Sequence, residues 1–113
     1  NGDGIMVYEL RTYIIPQGRM NDILNRFEKV TMRLFKKHNM EVIGFWKVSK
    51  PANKNTLIYL MRYNDENHLN SAWDAFRNDE EWIITRKNTE ANGPIVEEVV
   101  SEQLSPTSFS PLQ

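Results

Sequence analysis

Glu9 and Arg11 stand two residues apart in the run Tyr8-Glu9-Leu10-Arg11-Thr12-Tyr13. Side chains alternate across a β-strand, so Glu9, Arg11 and Tyr13 fall on one face. In a cavity, such an Arg would hold a carboxylate or oxyanion, because its planar fork matches two oxygens. The structural alternative is a cross-strand or inter-subunit ion pair that fixes register. Trp46, Tyr59, Trp73 and Trp82 are the aromatic candidates. They would line an apolar ligand pocket, since such pockets are mainly aromatic with a few polar groups. The competing reading is plain core packing.

Other chemistry finds little support. His38 and His68 are the only histidines. A metal or haem site there needs further ligands supplied by the fold, whereas helix ends explain both positions. The chain has no HExxH motif, no Gly-rich phosphate loop and no Ser-His-Asp spacing. Cysteine is absent, which removes thiolate nucleophiles, cysteine-held metals and disulfides. No cofactor is implied. The acids of Asp65-Glu66 and Asp79-Glu80-Glu81 sit where helix caps want them.

The elements that position these residues follow from periodicity. Residues 5–15 alternate as strand one, ended by Pro16-Gln17-Gly18. From about Arg19 to His38 the period turns helical, with Met20, Ile23, Leu24, Phe27, Val30, Leu34 and Phe35 on one stripe. Arg26 is assigned to the polar side with Glu28, Lys29 and Arg33. Asn39 suits the left-handed position after the helix. Residues 41–49 read as strand two, with Val42, Gly44, Trp46 and Val48 on one face and Ile43, Phe45 and Lys47 on the other. Thr56 to Tyr63 reads as strand three, apolar on both faces. Asn64 or Asp65 caps a helix through about Arg77. Asn78 or Asp79 caps another from Glu80, stopped by Asn92-Gly93-Pro94. Residues 95–104 read as strand four.

The order β-α-β-β-α-β predicts an α+β, ferredoxin-like domain with a four-stranded antiparallel sheet. Helices cover one sheet face. Phe45, Ile58, Leu60 and Val99 would leave a large apolar patch on the other, and a second copy is the simplest cover. The expected assembly is a dimeric α+β barrel. Residues 1–4 are expected to fray, 5–104 to form the domain and 105–113 to run as an extended tail.

The bulk properties agree with one domain of 113 residues. Net charge is −1, from 14 basic and 15 acidic residues. That argues against nucleic acid as a partner, as does strand three, which lacks the aromatic pattern of RNA-recognition motifs. No apolar run approaches the roughly 20 residues that span a bilayer, so membrane insertion is not expected. The compartment is cytoplasmic by default. A secreted or periplasmic origin stays open, because a removed signal leaves no trace.

Four stretches in order resemble the NIPSNAP family: Tyr8-Glu9-Leu10-Arg11-Thr12-Tyr13, Val42-Ile43-Gly44-Phe45-Trp46, the set Trp73, Phe76, Asp79 and Trp82, and Phe109-Ser110-Pro111-Leu112. Asn39 departs from the glycine common at that helix end, and Glu80 from the proline that often opens the next helix. The resemblance implies a dimeric α+β barrel. It carries over no catalytic residues. Animal members of the family are mitochondrial and linked to vesicle traffic and mitophagy signalling.

The resulting expectation is a homodimer that binds a small apolar or aromatic molecule between sheet and helices. Glu9, Arg11, Tyr13, Trp46, Tyr59, Trp73 and Trp82 are the pocket candidates. One alternative is an enzyme resembling cofactor-independent monooxygenases, with Arg11, Trp46 and Tyr59 orienting the substrate. Another is an interaction module without catalysis. A cavity of roughly 300 Å³ or more with convergent polar groups favours a ligand.

Overall fold

The protein is described by a computed structural model covering residues 6–113. The expected frayed segment 1–4 lies outside the described residues. Strand β1 (Val7–Ile14) is followed by helix α1 (Met20–Arg26), a π-helical turn (Phe27–Thr31) and helix α2 (Met32–Lys37). Strands β2 (Glu41–Lys47) and β3 (Thr56–Tyr63) come next. Helices α3 (Glu66–Arg77) and α4 (Glu80–Thr89) precede strand β4 (Glu98–Leu104). The four strands form one antiparallel sheet in the order β2-β3-β1-β4. The α+β, ferredoxin-like architecture is therefore present.

The helix boundaries follow local chemistry. Asp65 accepts the His68 amide at 2.7 Å and Asp79 accepts the Glu81 amide at 2.9 Å, so these two residues, not Asn64 or Asn78, are the caps. Asn39 takes the left-handed conformation, φ 59°, and ends the first helical segment.

The core lies between the sheet and the helices. Ile23, Phe27, Leu34 and Phe35 from the first helical segment meet Leu57, Tyr59, Met61 and Tyr63 of β3. Leu69, Ala72, Trp73 and Phe76 of α3 close the other half. Residues 95–97 were expected within the last strand. They instead form its approach: Ile95 is fully buried, and the Glu97 amide bonds to Ile14 O before regular pairing starts.

Several local expectations are corrected. The β2–β3 register shifts between Val42 and Gly44, a bulge that breaks strict alternation. Val42 and Phe45 therefore share the helix-covered face, while Gly44 and Trp46 share the open one. Phe45 stacks on Tyr59 at 4.4 Å, so it is core and not part of the open patch. Val99 pairs with Tyr13 and also belongs to the helix side. Arg26, expected on the polar side of its helix, is 5 % exposed. Finally, the tail expected to run extended turns at Thr107–Ser110, closed by the Ser110 amide on Thr107 O.

The open face carries Leu10, Ile58, Leu60, Trp46, Val100 and Leu104. A Cβ at Gly44 would collide with the Trp46 indole, so glycine there lets the ring lie over the strand. Among the described residues, no helix is long and apolar enough to cross a membrane.

Candidate functional site

Strand β1 puts Glu9, Arg11 and Tyr13 on the helix-covered face, opposite Met61, Tyr59 and Leu57 of β3. Pairing thereby decides which side the acid and the arginine face. Helix α3 lowers Trp73 onto both. Glu9 is 3 % exposed and saturated with donors. Its Oε1 accepts Tyr63 Oη at 2.7 Å and Trp73 Nε1 at 2.8 Å. Its Oε2 accepts Arg11 Nη1 at 3.0 Å and the Ser101 hydroxyl of β4. Burial pushes the Glu9 carboxyl up, but the Ser101 bond, the Arg11 charge and the Tyr63 and Trp73 bonds outweigh it. The net result is a carboxyl held below its usual range. Four donors fill the sites of a carboxylate, so this acid is an anchor and not a free base.

Arg11 is the hub. Nε donates to Tyr59 Oη at 2.7 Å, and Nη2 reaches Tyr13 Oη at 3.4 Å. The guanidinium lies 4.2 Å from the Trp73 ring centroid. Three of its five N–H donors are thus engaged, leaving two. Burial opposes its charge, and the Tyr59, Tyr13 and Glu9 oxygens more than compensate, so it stays protonated. Tyr13 and Tyr59 hydroxyls lie 2.9 Å apart. Burial, then Tyr13, drives the Tyr59 phenol far above its usual range, against the opposing pull of Arg11. Burial and Glu9 do the same to Tyr63. Both phenols are neutral at physiological pH, not tyrosinate nucleophiles.

Cavities lie on both sides of Arg11. One of about 370 Å³ opens between α3 and β4 and is lined by Glu9, Arg11, Trp73 and Ser101 among others. It exists because the helices stop short of β4, which is exposed along its length. A second, of about 160 Å³, lies beneath Trp73 and Trp82. A third, of about 230 Å³, adjoins it through Tyr13, Arg26, Trp82 and Arg86.

Six of the seven residues singled out from the sequence converge here. Glu9, Arg11, Tyr13, Tyr59 and Trp73 form one bonded cluster, and Trp82 joins across the smaller cavity. Trp46 does not: it lies on the opposite sheet face, 54 % exposed. The residue that sequence reasoning missed is Arg26. Its Nη1 bonds to Thr89 of α4 and to Glu90 just after it, and its guanidinium sits 4.8 Å from the Trp82 centroid. The available signal was spacing. Arg26 stands three residues after Ile23 and four before Val30, positions on the apolar stripe itself.

The histidines are structural. His38 Nε2 pairs with Asp79 Oδ2 at 2.7 Å, an oxygen shared with Lys37. His68 Nδ1 accepts the Asn64 amide at 2.9 Å, so its Nε2 donates to Asn39 O. Among the described residues, no three acidic or histidine side chains gather as a metal site would require.

A model of the NIPSNAP family matches residues 8–111. The human protein NipSnap homolog 3A is 34% identical over 80 residues, covering 71% of this chain and 31% of that protein. The chain thus spans about a third of the length of its curated relatives. Among solved structures, a NIPSNAP family protein from Agrobacterium tumefaciens superposes with a TM-score of 0.84 at 20% identity, covering 96% of this chain and 99% of the other. SnoaB, a cofactor-independent oxygenase from Streptomyces nogalater, superposes with a TM-score of 0.64 at 9% identity, covering 95% and 98%. At those identities the structural likenesses establish the fold. The match along residues 8–111 establishes more: this chain belongs to the NIPSNAP family.

Proposed function

We propose that this chain is a homodimeric α+β barrel protein that binds a small aromatic molecule between its sheet and its helices. The carrying observation is the setting of Arg11. It is fixed by Glu9 and Tyr59, rests on Trp73, keeps two N–H donors uncommitted and lines cavities on both sides. A buried arginine held by its neighbours loses little freedom on meeting a ligand. The cavity of about 370 Å³ falls within the roughly 300–1,000 Å³ range of small-molecule sites. The saturated Glu9 and the neutral tyrosines support binding over acid–base turnover.

The dimer reading rests on the open sheet face. Leu10, Ile58 and Leu60 run down its centre, flanked by the exposed Trp46, Val100 and Leu104. Among the described residues no helix covers it, and a second copy would. Native mass spectrometry of the protein, purified without added ligand, tests both parts. The expected spectrum is a dimer with a reproducible small-molecule adduct that Arg11→Lys loses. A monomer would refute the barrel assembly, and an adduct retained by Arg11→Lys would refute the site.

A further inference from the structure

Arg26 holds the one buried side-chain donor without an acceptor among the described residues, its Nε–H. Buried donors are nearly always satisfied, so this guanidinium is incompletely paired within the protein. Arg26 lines the cavity of about 160 Å³, as do Arg11, Arg77 and Arg86, and no carboxylate lines it. Three of these arginines are held on tryptophan faces. Arg11 and Arg77 lie 4.2 and 5.4 Å from the Trp73 centroid, and Arg26 lies 4.8 Å from that of Trp82.

The four guanidiniums share three carboxylates, all outside this lining. Glu9 pairs with Arg11, Asp74 with Arg77, and Glu90 with both Arg26 and Arg86. The Arg77 pair is long, 3.9 Å, and exposed. Positive charge therefore focuses inside the cavity although the chain as a whole carries −1. The π-helical turn Phe27–Thr31 follows Arg26 directly, and Thr31 Oγ1 donates to Arg26 O at 3.3 Å. Such turns are frequent at functional sites.

We propose that this cavity binds a single-ring aromatic carboxylate, with the carboxylate among the guanidiniums of Arg11, Arg26, Arg77 and Arg86 and the ring beside Trp73 and Trp82. This deepens the small-molecule reading above and rests on it. Size selects one ring, since a cavity of about 150 Å³ accommodates benzene. Charge selects an acid, because the four guanidiniums share only three carboxylates. Ring-lined walls and local charge excess thus point to one ligand class.

Isothermal titration with three probes tests it: benzoate, benzyl alcohol as its uncharged analogue, and inorganic phosphate as an anion without a ring. Benzoate is expected to bind at least about tenfold more tightly than either of the others. Arg26→Lys, which keeps the charge but loses the planar fork of donors, should reduce that preference. So should Arg86→Gln, at an exposed position that leaves folding intact. Equal binding of benzoate and benzyl alcohol overturns the carboxylate assignment while the pocket reading stands. Phosphate matching benzoate overturns the aromatic assignment. An unchanged preference in both variants overturns the Arg26 site. Failure of all three probes in the folded protein overturns this proposal, whereas the small-molecule reading falls only if the native mass spectrum also shows no adduct.

Discussion

Trp73 donates a hydrogen bond from Nε1 to Oε1 of Glu9 at 2.8 Å, joining helix α3 to the second turn of alternation in strand β1. The same indole lies beneath the Arg11 guanidinium, 4.2 Å away. Acid, indole and guanidinium are therefore one unit, and disturbing any member exposes the others to unmet charge.

Glu9→Gln tests that unit. The amide has no negative charge for Arg11 and turns an NH2 toward donors. Removing one partner of a buried pair typically costs about 3–5 kcal/mol. Urea denaturation should show a loss in that range, visible as a lowered midpoint. Ser101→Ala removes one of four bonds and should lose only about 1 kcal/mol.

Acid stability depends on the same carboxyl. Its pKa in the folded protein lies below the ordinary 4.5. The unfolded chain then binds the proton more readily, so this group stabilises the fold above pH 4.5 and loses that contribution as pH falls toward the folded pKa. Unfolding free energy of the native sequence should decline below that pH. In Glu9→Gln the decline should be shallower, as measured by urea midpoints across an acid pH series.

Asp79 combines a helix cap with two cationic partners. The Lys37 and His38 bonds, opposed by burial and aided by the Glu81 amide, hold its carboxyl far below the usual range. Asp79→Ala should destabilise the protein by about 1–2 kcal/mol, mainly through the lost cap of α4. Hydrogen exchange should then show faster exchange in the first turn of α4, with β1 and β3 amides unaffected.

The open face predicts assembly. Leu60→Arg places a charge at its centre without touching the helix-side core. Sedimentation should report a monomer for this variant and a dimer for the native sequence, with unchanged far-UV circular dichroism. A Leu60→Arg dimer would show that the apolar face serves another purpose. Gly44→Ala, which displaces the Trp46 indole, should weaken the dimer less than Leu60→Arg.

The sequence by itself determined the element order, both cap positions to within one residue, the Asn39 helix stop and the apolar stripes of α1–α2 and α3. These are local: a period, a cap or a left-handed residue is written within one or two turns. It also placed Glu9, Arg11 and Tyr13 on a common face, because alternation fixes their relation. Which face that was required pairing with β3 and β4. The fates of Phe45 and Trp46 required the bulge between Val42 and Gly44, since one extra residue exchanges the two faces of a strand. Arg26 was decided furthest from its own neighbourhood. Its partners Thr89 and Glu90 lie 63 and 64 residues away, and its burial depends on the seating of α4. No local pattern encodes a partner at that separation, because only the packed chain brings the two charges to 3.0 Å.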